Sequence, residues 1–140
     1  MPRKRVYVPS PIEIPIAHEF DIVSARQKGR ELAASMGFSS TDQTLLATAI
    51  SEVARNIVNY AGTGELVLCD VEEKGRRGVM IVARDRGPGI ADTELAMRDG
   101  YSTGNSLGVG LPGARRLVDD FQLSSTPGVG TIVTLKKWLR

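Results

Sequence analysis

Three clusters in this chain combine residue types and spacings that chemistry can use. The first is Glu52 with Asn56, four apart in a run of helical periodicity, so that the two side chains stack a turn apart on one face. A carboxylate can take a proton and an amide oxygen can bind a hard cation, although the same spacing suits a plain solvent-facing stripe. The second is Asp85-Arg86-Gly87-Pro88-Gly89-Ile90, directly after the apolar run Val79-Met80-Ile81-Val82-Ala83. An aspartate at a strand's end can accept a hydrogen bond in a pocket with apolar walls, and Gly87 and Gly89 let backbone come close to a flat ligand. A turn that merely ends the strand would use the same residue types. The third is Gly104-Asn105-Ser106-Leu107-Gly108-Val109-Gly110-Leu111-Pro112-Gly113, leading into a helix. Unobstructed N–H groups at a helix start attract anions, and Pro112 is tolerated early in the helix because its N–H would be unpaired there. No Gly-Lys-Ser/Thr follows, so this is not a Walker A loop, and no strand leads directly into it, so it is not a Rossmann turn.

Those residues need elements to hold them. Ile12, Ile14 and Ile16 alternate with Glu13, Pro15 and Ala17, the period of a half-buried strand whose proline suits an edge. Asp21 is the expected N-cap of a helix in which Ile22, Ala25, Gly29, Leu32, Ala33 and Met36 recur at helical spacing and which Gly37 ends. A second helix is expected from Ser40-Thr41-Asp42 to Tyr60, stopped by Gly62 and Gly64. In it Leu46, Ile50, Val53, Ile57 and Tyr60 form the core stripe, and Leu45, Thr48, Glu52, Asn56 and Asn59 form the neighbouring one. Strands are expected over 65–71 and 78–84 around a polar turn, then a glycine-rich stretch over 87–110, a helix over 111–121, and strands over 122–125 and 131–138. Sequential hairpins imply antiparallel pairing. The fold class is α/β (α+β), a two-layer sandwich with a mixed, largely antiparallel sheet covered on one face by helices.

Composition narrows the function. With 41% apolar and 24% charged residues in 140, the chain reads as one ordinary globular domain over residues 1–140, with a flexible basic tail over residues 1–10. No run approaches the roughly 20 apolar residues of a membrane span, so no membrane role is expected, and no apolar stretch follows the first basic residues as a secretory signal requires. The lone Cys69 excludes an internal disulfide and a cysteine-built zinc site, and is expected to be a small buried apolar residue on a strand. The lone His18 excludes a histidine-built metal site, and a cytoplasmic address follows as the simplest expectation. The net charge of +2 hides an asymmetry: Arg3, Lys4, Arg5, Lys136, Lys137 and Arg140 sit near the chain ends, and without them 12 basic residues face 16 acidic ones. Nucleic-acid binders usually carry their basic residues along a folded face, so no nucleic-acid partner is expected.

Taken in order, the three clusters resemble the GHKL (Bergerat) ATP-binding fold, the superfamily of gyrase, histidine kinases and MutL. The resemblance covers nearly the whole chain, with Glu52 and Asn56 as N box, Asp85 to Gly89 as G1 box and Gly108 to Gly110 as G2 box. Ala49-Ile50-Ser51-Glu52-Val53-Ala54-Arg55-Asn56, the Asp85 to Ile90 run, and Gly108-Val109-Gly110-Leu111-Pro112-Gly113-Ala114-Arg115-Arg116-Leu117 look more specifically like the RsbT-type serine/threonine switch kinases of bacterial stress (stressosome) modules. Asp21-Ile22-Val23-Ser24-Ala25-Arg26 and the run from Gly130 to Trp138 agree with that subgroup.

The resemblance implies a role for each cluster. Asp85 would accept a hydrogen bond from the exocyclic amine of adenine, flanked by Gly87 and Gly89, with Ile90 packed on the base and Thr131 reaching both through its hydroxyl and a water. Asn56 would bind Mg²⁺ through its amide oxygen, and Glu52 would be the general base. Ser106, Leu107, Gly108, Val109, Gly110 and Leu111 would line the phosphates, largely through backbone N–H groups, and residues 91–106 would form a lid that nucleotide orders. Two departures stand out. Asn59 occupies a position where many histidine kinases carry a basic residue, and no lysine or arginine occurs between Asp99 and Pro112. Positive charge for the γ-phosphate must therefore come from elsewhere, with Arg55, Arg98 and Arg115 as unranked candidates. The implied activity is phosphorylation of Ser or Thr on STAS-domain stress-signalling proteins with ATP and Mg²⁺, followed by release and activation of a PP2C-type phosphatase. The alternative is an anti-sigma factor that sequesters a sigma factor in an ATP- or ADP-dependent way. A histidine kinase is not expected, because His18 lies in a strand-like segment with no helix pair around it.

Overall fold

A computed structural model describes residues 10–89, 97 and 110–140. The expected basic tail, apart from Ser10, lies outside the described residues, as do Ile90, Arg98, Ser106, Leu107, Gly108, Val109 and nearly all of the expected lid.

Strand β1 (Ile12–Ile16) opens the fold at a sheet edge, where Pro15 can lack an N–H without interrupting a central ladder. Helix α1 (Glu19–Met36) buries the six residues expected of it and ends at Gly37, whose φ of 93° suits the left-handed cap. Its start differs from expectation. Asp21 lies inside the first turn rather than at the cap, and its carboxylate reaches back to the N–H groups of Ala17 at 2.8 Å and His18 at 3.0 Å. An acidic residue at the third helical position satisfies the same orphan donors as a cap would, so sequence alone does not separate the two.

Helix α2 (Ser40–Tyr60) is capped by Ser39, whose hydroxyl accepts from the N–H of Asp42 at 3.1 Å. Leu46, Ile50, Val53 and Ile57 are at most 1% exposed, but Tyr60, expected in the same stripe, is 40% exposed at the last residue of the helix. The two helices approach closely at Gly29, where a Cβ would stand 2.1 Å from Cδ1 of the buried Ile50.

Beneath them lies a five-stranded sheet in the order β1-β2-β3-β5-β4, with every neighbouring pair antiparallel. Strands β2 (Gly64–Glu73) and β3 (Arg76–Asp85) are longer than expected, because the turn tightens to Lys74 and Gly75, with φ of 51° and 77°. That positive-φ pair matches the twist of a two-residue hairpin. Leu66, Leu68, Val79, Ile81, Ala83, Val133 and Leu135 turn toward the helices and none is more than 3% exposed. Each of these side chains except the small Ala83 contributes about 1.5–3 kcal/mol by leaving water. On the other face Glu65 pairs with Arg84 at 2.6 Å and Lys136 with Glu73 at 2.7 Å, and Arg76 lies over the Trp138 ring. Cys69 belongs to that uncovered face and is half-buried, not the core residue expected.

The last helix corrects the sequence. α3 (Gly110–Arg116) stops well before residue 121, and Phe121 belongs to β4 (Asp120–Thr126). The N–H of Leu117 turns back to Ala114 at 3.1 Å, and the N–H of Asp119 already bonds Lys136 of β5 (Gly130–Trp138) at 2.9 Å. Phe121 and Leu123 then alternate inward as a strand, pairing with Leu135 and Val133. Lys137 is 5% exposed on the inner side of β5, where its ammonium donates to the carbonyl of Leu117 at 3.1 Å and stands 3.8 Å from Asp42. It ties the end of α3 to the start of α2. No helix among the described residues is long and apolar enough to cross a membrane.

Candidate active site

Two groups of the expected residues gather at opposite ends of the second half of α2. At the first, Glu52 is 6% exposed. That burial sets Glu52 apart from Thr48 and Asn59 of the same stripe, which are exposed, and a buried carboxylate needs partners. One oxygen accepts from Arg55 Nη1 at 3.1 Å and the other from the N–H of Gly110 at 2.9 Å. The Gly110 bond fastens the start of α3 to the middle of α2, and Gly110 takes a φ of 67° to make it. Leu111, next in α3, is buried against the core cluster. Asn56 follows one turn along α2, half-buried, its amide taking no hydrogen bond among the described residues.

The second group lies at the end of the sheet. β3 and β5 pair so that Asp85 stands opposite Thr131 and Gly64 stands opposite Asp85 on the other side. Asp85 Oδ1 accepts from the N–H of Gly87 at 2.9 Å, and Oδ2 takes no hydrogen bond among the described residues. An unengaged carboxylate oxygen beside a cavity is ready for a donor. Thr131 is 4% exposed and its hydroxyl lies 2.9 Å from that of Ser125.

Glycine is required at both ends of this turn. A Cβ on Gly87 would come within 2.6 Å of Ala61, and Gly89, with φ of 77°, would put one 2.4 Å from the Thr126 carbonyl. The turn is also held by the N–H of Gly128 donating to the Pro88 carbonyl at 2.7 Å. A cavity of about 630 Å³ opens here, lined by Ala61, Gly64, Asp85, Gly130 and Thr131 and extending past Arg84 onto the uncovered face of the sheet. Glu52 and Asn56 do not line it.

What joins the two groups is α2 itself. Ala61, which caps its C-terminus, touches the space above Gly87. From Glu52 to Ala61 the helix advances about 13 Å at 1.5 Å per residue, comparable with an extended nucleoside triphosphate. Among the described residues no group of three acidic, histidine or cysteine side chains could hold a metal alone. A cation beside Asn56 would need ligands that a phosphate chain supplies, which suits Mg²⁺.

Sequence reasoning placed Glu52 and Asp85 but missed what holds them. The spacing of Arg55 three residues after Glu52 was an available signal for the ion pair. The contacts from Gly110 and Ser125 depend on tertiary approach and had none.

The two-layer sandwich carries these residues within a known class: residues 41–140 match the family described as histidine kinase-, DNA gyrase B-, and HSP90-like ATPase. The chain belongs to that family. Within it, the chain is 50% identical to the serine/threonine-protein kinase RsbT of Bacillus subtilis (strain 168) over 125 residues, covering 89% of this chain and 94% of that protein. It is 30% identical to the anti-sigma F factor of Pasteuria penetrans over 134 residues, 87% of this chain and 89% of the relative. An anti-sigma F factor of Thermoanaerobacter sp. (strain X514) is 27% identical over 99 residues, 67% of this chain and 68% of the relative.

Proposed function

We infer that this protein, a serine/threonine protein kinase by its 50% identity over most of its length to one, uses ATP with Mg²⁺ to phosphorylate Ser or Thr on cytoplasmic STAS-domain proteins of a stress-signalling module. Once released from them, it binds and activates a PP2C-type phosphatase. The observation that carries this is the burial of Glu52, a carboxylate 6% exposed with both oxygens held, one helical turn from an unengaged amide. A group so placed suits proton abstraction more than solubility.

The roles follow the chemistry of each group. Asp85 Oδ2 accepts from the adenine amine, Gly87 and Gly89 let the turn close on the base, and Thr131 completes the polar row beside it. Ile90 would pack on the base, and Ser106, Leu107, Gly108, Val109, Gly110 and Leu111 would border the phosphates. Asn56 would hold Mg²⁺ through its amide oxygen, and that ion would supply positive charge to the triphosphate. Glu52 takes the proton of the acceptor hydroxyl as that oxygen bonds to the γ-phosphorus. The bond from phosphorus to the β,γ-bridging oxygen breaks, and ADP leaves with its electron pair.

A second reading has support from the 30% identity to an anti-sigma F factor over 87% of the chain: sequestration of a sigma factor under nucleotide control. Incubation with γ-labelled ATP, purified STAS proteins and sigma factors separates the two. Label on a STAS protein, lost when its acceptor Ser or Thr becomes Ala, supports the kinase; tight sigma binding without any transfer supports the alternative and overturns it.

A further inference from the structure

Glu52 is gripped from two sides, by Arg55 Nη1 at one oxygen and the N–H of Gly110 at the other. We propose that Arg55 is a positioning residue for Glu52, aiming its carboxylate for proton transfer. The proposal rests on Glu52 being the base.

Two observations support it. A carboxylate only 6% exposed draws little on water, so its orientation is set by the protein groups that bond it. One backbone N–H fixes one oxygen and leaves rotation about the bond to the other; the guanidinium removes that freedom because its planar donors are themselves rigid. Second, Arg55 is three residues after Glu52 on α2, with its side chain 27% exposed, so it spans from the buried carboxylate to solvent and keeps its own charge hydrated. Arg115, another arginine considered for the phosphate, is exposed on α3 and makes no ion pair with Glu52.

A double-mutant cycle on the full chain tests this, reading the single-turnover rate of transfer to a STAS substrate and the Kd for ATP. Arg55→Met should slow transfer about 10- to 100-fold, the scale of a misplaced catalytic group, with ATP affinity nearly unchanged. Arg55→Lys, which keeps the charge but not the planar donors, should recover part of the rate. Arg55→Met added to Glu52→Gln should slow transfer no further than Glu52→Gln alone, since the first acts through the second. If Arg55→Met weakens ATP binding as much as it slows transfer, or the two deficits multiply in the double variant, Arg55 acts on the nucleotide and the proposal is wrong. If Glu52→Gln transfers at the parental rate, the base assignment itself falls, a result distinct from either of those.

Discussion

Replacing Asp85 by Asn changes one atom, and the geometry says what that atom does. Oδ1 of Asp85 is committed to the N–H of Gly87 at 2.9 Å, while Oδ2 takes no hydrogen bond among the described residues, and Asp85 lines the cavity. In Asp85→Asn the amide oxygen must stay with Gly87, so the amide nitrogen takes the place of Oδ2. A donor then meets the donor amine of adenine. If the amide flips, Gly87 loses its acceptor instead; one buried polar group is mismatched either way. The penalty for such a group is about 1–3 kcal/mol, which weakens ATP binding by about 5- to 150-fold. Guanine carries a carbonyl oxygen where adenine has its amine, so it should bind the parent poorly and lose less in the variant. Calorimetric titration of both proteins with ATP and GTP checks this: the ATP-to-GTP preference should narrow in Asp85→Asn. Equal ATP and GTP affinities in the parent, or an unchanged ATP affinity in the variant, would refute the assignment of Asp85 to the base.

Three further outcomes follow from the packing. Gly130→Ala puts a Cβ 2.1 Å from the Asp85 carbonyl at a φ of 151°, with only backbone to yield; a loss of about 1–3 kcal/mol should appear as a lower Tm together with weaker ATP binding, and a parental Tm would contradict the close approach. Lys137→Met removes the donor to Leu117 and the neighbour of Asp42, and urea denaturation should show a loss of about 1–3 kcal/mol; unchanged or greater stability would mean that the buried charge opposes folding. The carboxyl of Asp21 is held below its ordinary range by the N–H of Ala17 and then that of His18. Its stabilising effect is therefore complete above the unfolded pKa near 4 and is lost as pH falls through the lower folded value. Thermal melts of Asp21→Asn against the parent should show a Tm gap that is steady at neutral pH and shrinks below about pH 4; a gap that persists in acid rules this out.

Much of the fold was legible because local and tertiary preferences agree over most of the chain. The inner face of α1 was readable residue by residue, since Ile22, Ala25, Gly29, Leu32, Ala33 and Met36 follow the helical period and all are buried. Where two elements abut, the period is ambiguous. Leu117, Val118 and Phe121 fit a continuing helix, but Phe121 and Leu123 also fit a strand, and pairing with β5 decided for the strand. For the site, Glu52 and Asp85 were readable as types and spacings. The depth at which Glu52 lies was not, because its stripe differs from the core stripe by a small rotation and the bond from Gly110 of α3 depends on tertiary approach. Lys137 is the plainest case of tertiary override: a terminal basic residue by sequence, a buried tether between two helices in the fold.

The most direct test is the single-turnover rate of Glu52→Gln with saturating ATP and a purified STAS substrate, measured beside its Kd for ATP. The glutamine keeps the shape and offers its one oxygen to Arg55 or to the N–H of Gly110 but not to both, and it cannot take a proton. Transfer should fall about 10²- to 10⁴-fold while ATP affinity stays close to the parent's. Transfer at a rate near the parent's would remove Glu52 from the chemistry and contradict the central assignment.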